Sequence, residues 1–189
     1  RINDVGYALL PIGIVTVGIA GLIVIEPDFG TAAVLLLVVT AVVFAAGLSY
    51  RYLFGTLLVM LPAAMIVIAS APYRQKRLLA YLDPWSARFG DGYQAVQSFI
   101  AVGSGGVFGI GLMGGVQKVT YLPAPHNDFI FAVIGEELGL VGTTITILCF
   151  GVIAWRGLRV ALVAPDRFGS LLALGLTMMV TLQALVNLS

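Results

Sequence analysis

Charge is what this sequence has least of. Only 10% of its 189 residues are charged, against about 25% in ordinary soluble domains. Hydrophobic residues make up 60%, and the mean hydropathy is +1.05. Such a chain cannot cover a water-facing surface, so a soluble fold is excluded. The net charge is +1 and the ten basic residues form no stripe, which argues against a nucleic-acid partner. The single cysteine, Cys149, rules out an intrachain disulfide. Lying inside an apolar run, it is expected to be a buried structural thiol. No signal-peptide pattern accompanies the apolar segment that follows Arg1. The expectation is that residues 1–189 are an internal piece of a single integral membrane domain.

What the sequence does have is long apolar runs. A helix needs about 20 such residues to cross the roughly 30 Å hydrocarbon layer. Gly6–Ile25, Gly30–Leu48, Leu53–Ala71 and Gly169–Leu188 approach that length, and a further run extends from Phe129 to Trp155, interrupted by Glu136 and Glu137. The fold class expected is all-α: a polytopic transmembrane helix bundle of about five spans. Pro11 and Pro62 fall inside two of them, where neighbouring helices can satisfy the freed backbone groups. Arg1, Arg51, Arg156, Arg159 and Arg167 gather on one side, offset by Asp4 and Asp166, while the short link Glu26-Pro27-Asp28-Phe29 on the other side has no base. The arginine-rich side is therefore expected to be cytoplasmic. The long loop of residues 72–128 would then face outward.

Within that loop, Phe99–Gly115 is apolar but holds seven glycines, each costing about 1 kcal/mol of helix propensity relative to alanine. A re-entrant or interfacial segment packed on protein fits better than a span. Gly109–Gly114 also matches GxGxxG formally. Without βαβ alternation the nucleotide-binding reading fails, and close backbone approach to a lipid headgroup or a neighbouring helix is the better reading of these glycines.

The ionisable residues concentrate in Tyr121–Gly139, YLPAPHNDFIFAVIGEELG. A charge at membrane depth must reach water, find a partner or act on a substrate. In an extended segment His126 and Asp128 point the same way, and Pro123 and Pro125 favour extension just upstream. Two readings of Asp128 fit: an N-cap for the apolar helix that follows, and a catalytic carboxylate. Glu136 and Glu137 are about 100° apart on a helix, so two readings fit: one turns to the interior and the other to the interface, or both form an interfacial polar pair capped by Gly139. Glu26 and Asp28 suit a cation, a basic partner or plain solvation. Arg74, Lys76 and Arg77, with Lys118 further on, suit either phosphate groups or snorkelling to lipid headgroups.

Five stretches carry a resemblance: Glu26–Thr31 (EPDFGT), Tyr73–Trp85 (YRQKRLLAYLDPW), Gly92–Gly106 (GYQAVQSFIAVGSGG), Gln117–Pro123 (QKVTYLP) and His126–Gly142 (HNDFIFAVIGEELGLVG). In content and order the chain resembles the shape, elongation, division and sporulation (SEDS) family, of the FtsW and RodA type, with the division-specific FtsW branch the nearer match. The resemblance implies about ten helices of bilayer-spanning length, of which this chain is similar to the fifth to the ninth. It also implies an enzyme of bacterial cell wall synthesis, a peptidoglycan glycosyltransferase polymerising lipid II. The site would lie on the extracytoplasmic face of the plasma membrane. Implied partners are lipid II and the growing glycan strand, the bilayer, a class B penicillin-binding transpeptidase and other divisome membrane proteins. The proposed catalytic aspartate of the family's HTDFIF motif falls on Asp128. Where the family usually reads LPEAHTDFIF, this chain has LPAPHNDFIF, with Ala124 for the glutamate and Asn127 for the threonine.

In that chemistry Asp128 is the expected general base, and Arg74, Arg77 and Lys118 would neutralise the leaving pyrophosphate. His126, Gln97 and Ser98 would contact substrate, while Glu26, Asp28 and Glu136 would give structural support. Attack opposite the leaving group would invert the anomeric centre. No cofactor is required with certainty; a divalent cation such as Mg2+ beside the pyrophosphate is the one left open. The alternatives are a lipid II flippase or transporter and a non-catalytic scaffold for the transpeptidase. The piece on its own is expected to be inactive.

Overall fold

The computed structural model describes residues 3–26, 28–70, 72–86, 88–90, 92–111, 114 and 130–188; the side chains at 63, 64, 67, 73, 74, 77, 78, 81 and 188 stand outside that description. The described residues form helices and no strands: α1 Leu10–Ile25, α2 Phe29–Ala45, α3 Tyr50–Ala69, α4 Pro72–Leu82, α5 Tyr93–Ser104, α6 Ile130–Val163 and α7 Arg167–Leu188. Val5–Ile25, α6 and α7 are each long and apolar enough to cross a membrane, and α2 is a shorter apolar helix. The 20 residues of α3 reach about 30 Å. This is the all-α, polytopic membrane protein that composition implies.

Local sequence explains most of the helix ends. Pro11 sits at the second position of α1, directly after a π-helical turn, Val5–Leu9. Proline lacks an N–H and crowds the carbonyl four residues back; the wider turn upstream accommodates it. Asp4 opens that turn by accepting a bond from the Tyr7 N–H at 3.2 Å. Asp28 caps α2, accepting from the Thr31 N–H at 3.0 Å, and Asp166 caps the start of α7 through the Gly169 N–H at 2.8 Å. Three of the few acids in the chain are therefore engaged in helix initiation. The Gln75 side chain, at the start of α4, donates to the Ala69 carbonyl at the end of α3 at 3.0 Å.

The chain divides into two compact units, Arg1–Val59 with Phe150–Ser189, and Met60–Cys149. In the first, α1 packs on α2 and α2 packs on α7. Lipid tails give helices no hydrophobic reason to associate, so close approach of small residues must do it. The buried apolar positions here are mainly small: Ala20, Ala32 and Ala161. Gly157 of α6 lies against the Thr177 side chain of α7, and a Cβ on Gly175 would stand 3.3 Å from Val42. Polar cross-links reinforce this packing. The Ser170 hydroxyl donates to the Ala161 carbonyl at 2.6 Å. Asn3 ties the N-terminal end to the α2–α3 link, donating to Gly47 O at 3.1 Å and accepting from Ser49 N at 2.8 Å.

Two expectations need revision. Cys149 is exposed on α6, so no described residue buries it; Ile147, Leu148 and Val152 around it are exposed too. The span expected to end near Trp155 continues as helix to Val163 and is interrupted at Gly139, whose backbone is non-helical (φ 62°, ψ −157°). The portion after the break, Leu140–Val163, is about 36 Å long at 1.5 Å per residue and suffices to cross a bilayer. Ile130–Leu138 is therefore a separate short half.

Two outcomes test this packing. Replacing Asp28 with alanine should cost about 1 kcal/mol of stability, read by denaturant unfolding of the protein in detergent. Hydrogen bonds from Thr31, side chain first, hold the Asp28 carboxyl below its ordinary value, against a small opposing effect of burial. Its contribution should thus be fully present above about pH 4 and fade as pH falls through the lowered folded-state value. Asp28→Asn should keep most of the cap and lose that pH dependence. Gly157→Leu would drive a side chain into Thr177 and should destabilise the protein by about 1–3 kcal/mol, whereas Gly151→Leu, which has open space around it, should not.

Candidate functional site

Most residues of the site suggested by the sequence belong to the second unit, whose described residues include the break in α6 at Gly139. In an unbroken helix the Leu140 and Val141 N–H groups would donate to the Glu136 and Glu137 carbonyls, four residues back. At Gly139 these two bonds are replaced by four others, all to the segment that follows α5. Ile110 N donates to Glu136 O and Gly111 N to Glu137 O, both at 3.1 Å; Leu140 N donates to Gly106 O at 2.9 Å and Val141 N to Val107 O at 3.2 Å. Residues 106–111 thus form a strap that supplies both donors and acceptors. Without it, two donors and two acceptors would face an apolar medium at a cost of several kcal/mol each.

The strap exists because of glycine. Gly106, Gly109 and Gly111 take positive φ values of 55°, 78° and 100°, which side chains resist. Contact is also close: a Cβ on Gly105 would collide with the Gly135 carbonyl, and one on Gly109 with the Glu137 carbonyl. Gly139 combines both demands. Its φ and ψ lie in a region that is essentially glycine-only, and a Cβ there would stand 2.7 Å from the Val107 carbonyl. The glycine richness that argued against a spanning helix in Phe99–Gly115 has this local cause: helix stops at Ser104, and the chain then packs as turns on α6.

Glu136 is carried on the short half of α6 and is 2% exposed, the most deeply buried large side chain among the described residues. Glu137, the next residue, is only half-buried. One glutamate faces inward and the other does not, as their angular separation requires. Next to Glu136, Gly135 rests on Val102 of α5; Ala101 of α5 and Ala132 and Val133 of α6 are also buried.

The other candidates distribute as follows. Gln97 and Ser98 lie on α5 and are half-buried; the Ser98 hydroxyl donates to the Ala95 carbonyl of its own helix at 2.7 Å. Arg74 and Arg77 are on α4, with their side chains outside the described set, while Lys76 on the same helix is exposed. Glu26 is exposed at the end of α1 and Asp28 is the α2 cap, so the acidic turn belongs to helix termini in the first unit. Lys118, His126 and Asp128, with Ala124 and Asn127, lie outside the described residues. Asp128 immediately precedes the short half of α6 in the chain, two positions before Ile130. Among the described residues no group of three or more His, Cys, Asp or Glu could hold a metal. A cleft near the end of α6, lined by Arg156, Arg159, Val160, Val163 and Ala164, has bases but no acid or nucleophile and suits a membrane interface rather than a reaction.

Sequence reasoning gave close approach of this glycine run to a neighbouring helix, which is what Gly109 makes with Glu137, but it missed Gly139 as the place where the two meet. The signal was present, since Gly105-Gly106, Gly109 and Gly111 in one short run and Gly139 alone after two glutamates mark close backbone approach at two places. Nothing in the sequence says that these two places meet.

Comparison with known proteins agrees with the motif order. Residues 3–189 match the cell cycle protein family of FtsW, RodA and SpoVE. A probable peptidoglycan glycosyltransferase FtsW of Thioalkalivibrio sulfidiphilus is 47% identical over 175 residues, covering 90% of this chain and 44% of that protein. The protein of the same description from Legionella pneumophila is 44% identical over 181 residues, covering 94% and 46%. The stage V sporulation protein E of Bacillus subtilis is 43% identical over 167 residues, covering 88% and 46%. The chain thus spans somewhat less than half the length of these relatives. With helices long and apolar enough for repeated crossing and a match over nearly its whole length, this multi-pass membrane chain belongs to the FtsW, RodA and SpoVE (SEDS) family.

Proposed function

We propose that the protein is a peptidoglycan glycosyltransferase that polymerises lipid II into glycan strands, in the manner of FtsW, during cell division. The observation that carries this reading is identity of 44–47% with relatives described as probable peptidoglycan glycosyltransferases. The matched stretch contains the HNDFIF segment and Asp128.

The reaction joins the 4-hydroxyl oxygen of one sugar to the anomeric carbon of another. Asp128, as general base, takes the hydroxyl proton while the oxygen attacks. The bond from the anomeric carbon to the lipid pyrophosphate breaks, and the pyrophosphate leaves with its electron pair. In-line attack inverts the anomeric centre. Base catalysis of this kind contributes roughly 10²–10⁴-fold. Arg74, Arg77 and Lys118 supply the positive charge that the departing pyrophosphate needs, and arginine does so with two parallel N–H donors. His126 orients Asp128 or meets the sugar, and Gln97 and Ser98 on α5 contact substrate. A divalent cation such as Mg2+ would add charge at the pyrophosphate. Since no described cluster of side chains fits one, no step is routed through it.

Orientation follows from the arginines. Arg51, Arg156, Arg159 and Arg167 on the cytoplasmic side put residues 72–128 and the reaction on the extracytoplasmic face of the plasma membrane. A class B penicillin-binding transpeptidase, with other division membrane proteins, is the partner this reading entails.

The rival with structural content is a lipid II transporter, because broken helices often mark transport sites. In such sites the freed backbone groups are offered to substrate or ion. Here the four displaced groups at Gly139 bond to the protein's own strap, which favours the polymerase.

The test is polymerisation of purified lipid II by the intact protein with its transpeptidase in liposomes. Glycan polymer should form, and Asp128→Asn should lower the rate at least 100-fold while lipid II binding persists. Polymerisation by Asp128→Asn at the normal rate would remove the base assignment. Lipid II crossing the bilayer without polymer would favour transport, and neither activity with partner binding intact would favour a scaffold.

A further inference from the structure

We infer that Gly105, Gly109 and Gly139 are positioning residues: they form a main-chain clamp that fixes the short half of α6, and through it the direction from which the chain delivers the catalytic segment. The inference rests on the polymerase reading above. It adds that activity depends on a contact made entirely by backbone, by residues that flank the reacting groups in the chain and are not among them.

Three observations support it. First, Ile130–Leu138 is no ordinary continuation of the spanning helix, because the two helical bonds that would bind it to Leu140 and Val141 are absent and the strap provides the link instead. A short helix with its own axis is free to adopt different directions unless something else holds it. Second, the fit leaves no room for adjustment. Carbonyls of Gly135 and Glu137 occupy the places where Cβ atoms on Gly105 and Gly109 would sit, and obstruction by backbone cannot be relieved by a rotamer change. Third, the strap and the start of α6 bracket the stretch that holds Lys118, His126 and Asp128. Gly111 is bonded to Glu137, and Ile130 lies about 10 Å back along the same half-helix at 1.5 Å per residue. Both feet of that stretch stand on one rigid support. A misplacement of about 1 Å at a reacting group can cost about 100-fold in rate, so loosening the support should reduce turnover with no change in any reacting side chain.

The clamp therefore separates two properties that a merely structural glycine would move together. Loosening it should reduce kcat and leave lipid II affinity and membrane insertion largely intact. The experiment uses the intact protein with its transpeptidase in liposomes, with lipid II polymerisation and amide hydrogen exchange read on the same preparations. In the unmodified protein the Ile110, Gly111, Leu140 and Val141 amides should exchange slowly as a group. Gly109→Ala and Gly139→Ala, which attack the clamp from its two sides, should release all four amides. They should lower kcat at least tenfold with KM changed less than about threefold, while exchange in α7 stays unaltered. Gly106→Ala has open space for its Cβ and adds only the strain of a positive φ, so it should fold even if the harsher variants do not, and should lose activity by a few-fold. Gly151→Ala in the same helix, with nothing near it, should leave both readouts unchanged.

Fast exchange at the four amides in the unmodified protein would disprove the clamp. Slow exchange there, lost in the variants without loss of kcat, would disprove its positioning role. Parallel loss of kcat, affinity and α7 protection would reduce these glycines to a general structural role. Failure of the polymerase reading would look different: the unmodified protein would make no polymer, with its clamp amides still protected.

Discussion

Inside a bilayer there is no water to satisfy a backbone group, and the arrangement of this chain follows from that. Where a helix stops, something in the protein must replace its hydrogen bonds. At Gly139 the replacement is complete for the two displaced pairs: two lost helical bonds, four bonds to the strap. The strap in turn dictates glycine at the points of closest approach, because a backbone can come within hydrogen-bonding distance of a helix interior only where side chains are missing. The buried Glu136, whose own carbonyl is the first displaced acceptor, takes part in the same contact.

Elsewhere the chain solves the association problem by different means. In the unit that contains α1, α2 and α7, buried alanines and the Gly157–Thr177 contact let helices approach closely. Threonine hydroxyls along the helices return to carbonyls one turn back, as Thr16, Thr40, Thr56 and Thr181 do. They spend no interhelical bonds. The sparse acids mark helix starts: Asp4, Asp28 and Asp166 each accept a backbone N–H three residues ahead. Glu136 is the buried acidic side chain among the described residues, and it lies on the helix broken at Gly139.

Much of this was legible in the residues. Apolar run length identifies α1, α2 and α7 and the core of α6, because bilayer thickness sets one length for all of them. The Asp-x-x pattern before an apolar run gives the cap of α2, although Asp28 read as a solvated acid or a cation ligand until the Thr31 bond was seen. The outward face of Cys149 was not legible: an apolar neighbourhood means burial in water but means nothing of the kind in lipid. For the strap, close approach to a neighbouring helix was legible in its glycines, but its meeting with Gly139 was not, since hydrophobic periodicity describes one element at a time and the contact joins glycines some thirty positions apart. For the candidate site, Asp128 came from the order of family motifs. Its own residue type had left a helix cap as the stronger reading.

The account stands or falls on the pairing at the break. In lipid bilayers, solid-state NMR on protein labelled with ¹³C at the Glu136 carbonyl and ¹⁵N at either Ile110 or Leu140 measures which amide faces that carbonyl. The expected result is strong coupling to Ile110, matching an N···O separation of 3.1 Å, and weak coupling to Leu140. Strong coupling to Leu140 and none to Ile110 would mean an uninterrupted helix, and would contradict the account.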